Sequence, residues 1–397
     1  MNASFLPYGR QHIDDEDVAA VVAVLRSDML TTGPAVSDFE AALSGHAGGA
    51  DSVVCANGTA ALHMAALAAG LGPGDFAVVP AITFLATANA VRLAGAEVMF
   101  ADVDPTTGLM MPAHVEAALS RSRSGRVKAV FPVHLAGQTA DPAGFVRLAD
   151  QHGFMLIEDA CHALGTRYLD ARHVVGSCDH STMTCFSFHP VKSIAMGEGG
   201  AVTTRDPSLA QSLRRLRSHG MVHAKADFEN RDMAFGPDGQ ANPWYYEMPA
   251  VGLNYRASDI QCALGTSQLT KLPRFLERRR QLVRKYDELF AVLQPVVRPL
   301  SRTDCVPGWH LYVVRIDFDA IGMDRGTFMR KLRQQGIGSQ VHYIPVSQQP
   351  YYRNRYGNIA LPGAEEYYRS CLSLPLYPSM NDDDVSRVVA AISAIVR

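Results

Sequence analysis

The sequence lacks the features that mark membrane proteins and disulfide-rich proteins. No stretch reaches the roughly 18 apolar residues of a membrane span, and the start lacks the charged and then apolar order of a signal peptide. The seven cysteines are odd in number and form no CxxC pair, which favours reduced thiols over disulfides or a zinc site. We therefore expect a cytoplasmic protein without a structural metal.

Basic charge is not in excess either. The formal net charge is -2, and the lysines and arginines are dispersed along the chain, which argues against nucleic acid as the main partner. The 397 residues, 47% of them apolar, fit one large and one smaller domain. We therefore expect a globular protein whose partner is a small molecule.

Short apolar runs recur in the first half of the chain, with helix-like segments between them. Two helices are predicted first, at residues 15–27 and 36–47. Strands are then predicted at residues 52–56, 76–80, 97–102, 128–134 and 154–159. Continuous apolar strands that alternate with helices predict an α/β fold with a mostly parallel sheet, in which ligands bind at the carboxyl ends of the strands.

The character of the chain changes near residue 254. Residues 259–272 and 274–293 are predicted as helices, with Arg278, Arg279 and Arg280 on a solvated face. A smaller α/β unit follows, with strands at 309–318 and 339–345 and helices at 324–336 and 382–396. We assign residues 1–255 to the N-terminal segment and large domain and residues 256–397 to the small C-terminal domain. Residues 224–249 are predicted as a long loop, a kind of segment that is often functional.

Three segments carry groups that suit a phosphate-bearing aromatic cofactor. NGTAAL (57–62) opens a helix, so its backbone N–H groups and the Thr59 hydroxyl form either an anion site or an ordinary capped turn. Asp159 ends an apolar strand, where it either pairs with a protonated ring nitrogen or caps a helix. Ser187 can offer a hydroxyl to a phosphate. Lys192, before a glycine cluster, is either a Schiff-base amine or, like most lysines, a solvated surface charge.

The order of these groups narrows the choice. A phosphate cradle, a carboxylate at a later strand end and a lysine on a glycine-rich turn are together what pyridoxal phosphate chemistry requires. The carboxylate keeps the pyridine nitrogen protonated, so that the ring can accept electrons, and the lysine reaches the cofactor as an imine. Phe84 is a candidate to pack on the cofactor face, although an isolated phenylalanine is more often part of a core.

The chain resembles the fold-type-I pyridoxal-phosphate aminotransferases that act on nucleotide sugars, the DegT/StrS type, from near residue 7 to near the C-terminus. The matching motifs are LTTGP (30–34), NGTAAL (57–62), FLATANA (84–90), FADVDP (100–105), PVHLAGQ (132–138), IEDACHALGT (157–166), FSFHPVKSIAMGEGG (186–200), LNYRASDIQCALG (253–265), GIGSQVHYIPV (336–346) and SLPLYP (373–378). The resemblance implies an aspartate aminotransferase-like fold. Within the family, the chain most resembles members that act in pseudaminic acid biosynthesis. These move an amino group from L-glutamate to C4 of a UDP-linked 4-keto-6-deoxy-N-acetyl hexosamine.

The resemblance also implies roles for individual residues. Lys192 would form the imine and later move the proton, Asp159 would hold the pyridinium, and His162 would lie near the ring. The cofactor phosphate would be held by Gly58, Thr59 and Ser187. Asn254 would reach the phosphate of the other subunit's cofactor, which implies a homodimer with shared active sites. Substrate contacts would come from three segments, through Thr31 and Gly33, through Trp244 and Tyr246, and through His342 and Tyr343.

Three alternatives stay open at this point. The substrate could be another 4-keto nucleotide sugar, of the bacillosamine, perosamine or 4-amino-arabinose type. A pyridoxal-phosphate sugar dehydratase shares the fold, but relatives of that kind replace the lysine with histidine, so Lys192 weighs against it. A non-catalytic regulator that keeps the fold is disfavoured because the three chemical groups are all in place.

Overall fold

The computed structural model describes residues 5–121, 126–169 and 172–397. In these ranges the α-helices are α1 (Asp15–Leu25), α2 (Pro34–His46), α3 (Gly58–Ala68), α4 (Leu85–Leu93), α5 (Pro112–Ser120), α6 (Pro142–His152), α7 (Pro207–Arg217), α8 (Arg231–Ala234), α9 (Asp259–Phe290), α10 (Arg325–Gln334), α11 (Pro350–Tyr356), α12 (Pro362–Ser370) and α13 (Asp382–Val396). The strands are β1 (Asp51–Cys55), β2 (Phe76–Pro80), β3 (Glu97–Ala101), β4 (Val127–Val130), β5 (Met155–Asp159), β6 (Arg167–Tyr168), β7 (Met183–Ser187), β8 (Gly200–Thr204), β9 (Val297–Pro299), β10 (Cys305–Val306), β11 (Tyr312–Ile316) and β12 (Cys371–Leu374). None of these helices combines the length and hydrophobicity that a bilayer requires of a spanning segment.

A seven-stranded sheet with the order β1-β8-β7-β5-β4-β2-β3 forms the centre of the molecule. The pairs from β3 to β7 are parallel, and β8 runs antiparallel to both of its neighbours. The predicted α/β fold with a mostly parallel sheet is therefore confirmed. Since β1, β2, β5 and β7 run in one direction, their carboxyl ends lie at one edge of the sheet, where the predicted site residues follow them.

The second half of the chain builds a smaller antiparallel sheet with the order β12-β11-β9. Its core includes stacked aromatic rings from α9 and β11, with Tyr286 and Tyr312 4.4 Å apart between ring centroids. The smaller α/β unit thus has its own hydrophobic core. The division of the chain between residues 255 and 256 stays a prediction.

Two predictions for local structure are wrong. The two helices predicted at 259–272 and 274–293 form one continuous helix, α9, in which Pro273 is exposed while Leu272 and Phe275 beside it are buried. Residues 339–345 form no strand, since only Gln340 makes a ladder contact, a single bridge to Ser373. The predicted long loop at 224–249 is mostly irregular, as expected, and contains only the short helix α8 and a 3-10 turn beside a small apolar cluster.

The predicted solvated face of α9 is wrong for Arg279. This side chain is only 1% exposed, and its guanidinium donates to the carbonyls of His310 at 3.2 Å and Leu376 at 2.8 Å. Burial lowers the pKa of Arg279 to about 10. The arginine therefore ties α9 to the segments before β11 and after β12, whereas Arg278 is partly exposed and pairs with Asp382 at 2.9 Å.

Candidate active site

A cavity of about 600 Å³ opens at the carboxyl ends of the parallel strands. The predicted site residues that line it are Gly58, Thr59, Phe84, Asp159, His162, Ser187, Lys192, His342 and Tyr343. Most of these residues lie at or just after the carboxyl ends of β1, β2, β5 and β7. His342 and Tyr343 instead lie between α10 and α11. The fold thus brings together groups from both halves of the chain.

The N-terminus of α3 forms one end of this cavity. Asn57 is the N-cap, and its side-chain oxygen accepts a hydrogen bond from the N–H of Ala60 at 2.9 Å. The first N–H groups of the helix, those of Gly58 and Thr59, are left for an anion. A Cβ at Gly58 would lie 2.7 Å from the Cβ of Ser187, so only glycine fits beside that hydroxyl. A helix N-terminus flanked by two hydroxyls fits a phosphate group.

Asp159 is the last residue of β5 and is 5% exposed. Its Oδ2 accepts a hydrogen bond from the Thr87 hydroxyl at 2.6 Å, and its Oδ1 accepts one from the backbone N–H of Cys161 at 3.1 Å. A turn follows it, so the alternative of a helix N-cap is wrong. The carboxylate thus faces the cavity as a hydrogen-bond acceptor held in one orientation, which suits a partner that carries a positively charged N–H.

Lys192 lies in the loop between β7 and β8, where its backbone N–H donates to the carbonyl of His189 at 2.8 Å. The side chain is half-buried rather than solvated. Burial lowers the pKa of its ammonium group, although Cys161 and Asp159 act in the opposite direction. A lowered pKa increases the fraction of neutral amine, the form that acts as a nucleophile or a base.

His162 has a defined tautomer. Its Nδ1 accepts a hydrogen bond from the backbone N–H of Ala136 at 3.4 Å, so Nε2 carries the proton and donates it to the Tyr343 hydroxyl at 3.0 Å. Burial, followed by the charges of Lys192 and His342, holds the pKa of His162 well below its ordinary value. Burial also raises the pKa of Tyr343 well above its ordinary value, so both rings are uncharged at neutral pH.

Aromatic rings form one wall of the cavity. Phe84 is 55% exposed, so the alternative of a core phenylalanine is wrong. Its ring lies 6.0 Å from that of Tyr343, which lies 6.0 Å from that of His162, measured between centroids. Such a wall suits a flat aromatic ligand.

Several lining residues were missed by the sequence analysis, namely Tyr8, Thr83, Cys161 and His310. His310 is 3% exposed, its ring lies 4.4 Å from that of His162, and its Nδ1 has no hydrogen-bond partner in the described part of the chain. Burial lowers the pKa of His310 well below its ordinary value, and the charges of His162 and Lys192 add to this effect. Only one pattern in the sequence pointed to any of these residues, a pair of threonines at 83 and 87, whose spacing would place both hydroxyls on one face of a helix.

The remaining predicted site residues do not line the cavity of the single chain. They are Thr31, Gly33, Trp244, Tyr246 and Asn254. Gly33 is the N-cap of α2, and its N–H donates to the Asp259 carboxylate at 2.8 Å. Trp244 is 75% exposed and Tyr246 56% exposed, while Asn254 is exposed beside a backbone bridge to Ser218.

Glu158, next to Asp159 on β5, provides a test of acid stability. Its buried carboxylate lies 3.1 Å from Nε2 of His134 and accepts hydrogen bonds from Tyr168 at 2.6 Å and Thr184 at 2.7 Å. Burial raises the pKa of Glu158, but attraction to His134 and these donors outweigh it and lower the pKa from 4.5 to about 2. Because this pKa is lower in the folded protein than in the unfolded chain, ionised Glu158 stabilises the fold above pH 4.5. That contribution to the unfolding free energy, about 3 kcal/mol, is lost as the pH falls through 2.

Urea unfolding between pH 5 and pH 2 measures this effect. We expect Glu158→Gln to be less stable than wild type at pH 5 and to lose less unfolding free energy as the pH falls. Parallel pH dependences for the two proteins would contradict the assignment.

The comparisons with known proteins agree with this geometry. The model of the DegT/DnrJ/EryC1/StrS aminotransferase family matches residues 11–393. The spore coat polysaccharide biosynthesis protein SpsC of Bacillus subtilis is 37% identical over 396 residues, which cover 99% of this chain and 97% of SpsC. The structure of Helicobacter pylori PseC, an aminotransferase involved in pseudaminic acid biosynthesis, has a TM-score of 0.87 at 28% identity and covers 99% of both chains.

The cofactor prediction is also confirmed. Streptococcus pneumoniae Spr1654, solved in a PLP form and in a PMP form, matches with TM-scores of 0.86 and 0.87 at 26% identity. The PLP form covers 99% of this chain and 98% of Spr1654. The cofactor is pyridoxal 5′-phosphate, the predicted fold-type-I architecture is confirmed, and the α3 terminus, Asp159 and Lys192 fit that cofactor. The chain belongs to the DegT/DnrJ/EryC1/StrS aminotransferase family.

Proposed function

We propose that the protein transfers an amino group from L-glutamate to C4 of a UDP-linked 4-keto-6-deoxy-N-acetyl hexosamine, a step of pseudaminic acid biosynthesis. The observation that carries the proposal is one cavity lined by a half-buried amine, a buried carboxylate and a helix N-terminus. The similarity to PseC over the whole chain supports the choice of sugar.

The cofactor is held at three points in this proposal. The N–H groups at the start of α3, with the hydroxyls of Thr59 and Ser187, bind the phosphate. Asp159 accepts a hydrogen bond from the protonated ring nitrogen, and Phe84 and His162 lie against the ring. Bound in this way, pyridoxal phosphate supplies an electron sink and a carrier for the amino group.

Lys192 moves the proton. Its neutral amine, favoured by burial, would take a proton from the Cα of glutamate and pass it to the cofactor, and glutamate would leave as 2-oxoglutarate with a keto oxygen taken from water. In the second half-reaction the same amine would deliver a proton to C4 of the sugar, whose keto oxygen would leave as water, so that the keto sugar would leave as an amino sugar. His342 and Tyr343, which line the cavity, contact the substrate.

We also propose a homodimer with shared sites. Lys192 is the only lysine or arginine among the described lining residues, and the acidic Asp159 and Glu198 line the same cavity. The cofactor phosphate, glutamate and UDP are all anionic, so one chain supplies too little positive charge for them. Asn254 of the partner subunit would bind the phosphate, and the exposed segments of Thr31, Gly33, Trp244 and Tyr246 would complete the substrate site.

Mixed dimers test the shared site. Random mixing of Lys192→Ala and Asn254→Ala chains makes half of the dimers mixed, and each mixed dimer has one intact site, so we expect about one quarter of wild-type activity. Activity is measured at limiting cofactor, before and after exchange of subunits. If mixing restores nothing although mass spectrometry detects mixed dimers, the two residues do not serve one site across an interface.

A second candidate substrate is favoured by the higher identity to SpsC, a protein of spore coat polysaccharide biosynthesis. It is another 4-keto nucleotide sugar of the bacillosamine, perosamine or 4-amino-arabinose type. Lys192 argues against the dehydratase and regulator alternatives.

A panel of 4-keto nucleotide sugars with glutamate distinguishes the candidates. We expect the highest kcat/KM on the UDP-linked N-acetyl hexosamine, measured by mass spectrometry of the amino sugar and by 2-oxoglutarate release. A higher kcat/KM on another sugar would reject the assignment to pseudaminic acid biosynthesis but not the transfer of an amino group to a keto sugar. No turnover on any sugar of the panel would reject that transfer as well.

A further inference from the structure

A buried chain of hydroxyls ends at the Asp159 carboxylate. The hydroxyls of Thr83 and Thr87 lie 2.8 Å apart, and the Thr87 hydroxyl lies 2.6 Å from Oδ2 of Asp159. The three side chains are 1%, 0% and 5% exposed, respectively. Thr83 directly precedes Phe84, the N-cap of α4, and Thr87 lies in the first turn of that helix, so their separation is set by a short stretch of local backbone.

The protons in this chain have one arrangement. An ionised carboxylate accepts hydrogen bonds and donates none, so the single proton of the Thr87 hydroxyl points to Asp159. The other acceptor near Thr87, the carbonyl of Phe84, is farther away at 3.4 Å. Thr83 must therefore donate to the oxygen of Thr87, and each hydroxyl strengthens the next as a donor.

Both oxygens of the carboxylate are consequently fixed. Oδ2 is held by the side chain of Thr87, and Oδ1 is held by the backbone N–H of Cys161. Two donors from different segments determine the plane of the group, whereas the backbone donor alone would leave the side chain free to turn. Phe84 lies between the two threonines in the sequence, and its exposed ring lines the cavity. One short segment thus supplies a ring for one side of the ligand and the orientation of its charge partner.

We propose that Thr87 is a positioning residue, which acts through Asp159 to aim its anionic carboxylate at the ring nitrogen of the cofactor, and that Thr83 completes the donor chain. This inference rests on the proposed function of Asp159. Thr87 itself does not line the cavity, so its effect on the ligand passes through the carboxylate.

The test compares Thr87→Val, which keeps the shape but removes the hydroxyl, with Thr87→Ser, which keeps the hydroxyl. The matched control is Thr203→Val, because Thr203 is fully buried on β8, donates to the carbonyl of Gly176 at 2.8 Å and does not line the cavity. Each apo protein is titrated with pyridoxal phosphate, its thermal unfolding is recorded without cofactor, and kcat/KM of the loaded enzyme is measured.

We expect Thr87→Val to weaken cofactor binding by about tenfold, the loss of one hydrogen bond to a charged group. Its kcat/KM also falls, because a carboxylate held by one donor fewer is aimed less well at the ring nitrogen. Thr87→Ser restores both, and Thr83→Val gives a smaller change in the same direction. Thr203→Val lowers the unfolding temperature but changes neither the cofactor affinity nor kcat/KM.

The inference is overturned if Thr87→Val differs from wild type only in unfolding temperature, as the control does, or if serine fails to restore binding. Failure of the proposed role of Asp159 gives a different result, since Asp159→Asn would then leave the cofactor affinity and kcat unchanged.

Discussion

Lys192→Ala is expected to lower the rate of transamination by about 10⁴-fold or more, because the variant loses both the amine that attaches the cofactor and the group that carries the proton. Cofactor affinity is expected to fall much less, since the start of α3, Ser187 and Asp159 remain in place. The variant should therefore hold pyridoxal phosphate reversibly. The measurements are single-turnover formation of 2-oxoglutarate from glutamate and equilibrium titration of the cofactor.

Lys331→Ala is the matched control, because that lysine is exposed on α10 and does not line the cavity. Borohydride reduction should fix the cofactor to the peptide that contains Lys192 in wild type and in the control, but to no peptide in Lys192→Ala. Transamination near the wild-type rate in Lys192→Ala would remove the central assignment of the proposed function.

Much of the sheet and the site could be predicted because both depend on local patterns. The apolar run that ends in Asp159 is continuous, and a parallel strand buried on both faces has that composition. Lys192 and the start of α3 follow strand ends as well, so a parallel sheet places them at one edge before any contact is known. Three groups whose order matches one cofactor then identify the chemistry.

The remaining features depend on contacts between distant segments. Thr87 and Asp159 are 72 residues apart, and nothing near either residue predicts their hydrogen bond. Arg279 lies in a run of charged residues whose pattern indicates solvent, yet carbonyls from two later segments bind it. Tyr343 lies in a run whose composition predicts a strand. That run does not pair along a sheet, and the Tyr343 hydroxyl contacts His162 instead.

Asp159→Asn is the second change with a large expected effect. Asparagine has nearly the same shape, and its one carbonyl oxygen can still accept a hydrogen bond from the backbone N–H of Cys161, while its NH2 group can donate to the hydroxyl oxygen of Thr87 once that hydroxyl has rotated, so the fold and the cavity are expected to persist. The amide is neutral, however, and no longer stabilises a protonated ring nitrogen, so the electron sink weakens. We expect kcat to fall by about a hundredfold or more, in line with the loss of a preorganised charge in other active sites.

Asp102→Asn is the matched control for this change. Asp102 follows β3 at the same edge of the sheet, but its carboxylate accepts hydrogen bonds from the N–H groups of Gly363 at 2.9 Å and Ala364 at 2.7 Å, at the start of α12. Asparagine keeps only one acceptor oxygen for these donors, so this control loses a charge and an acceptor just as Asp159→Asn does, but away from the cavity, and kcat should stay unchanged. The absorbance spectrum of bound cofactor should change with pH in Asp159→Asn but not in Asp102→Asn. Equal effects of the two substitutions on kcat would mean that Asp159 acts on the stability of this edge rather than on the cofactor, and Thr87 would then have no charge to position.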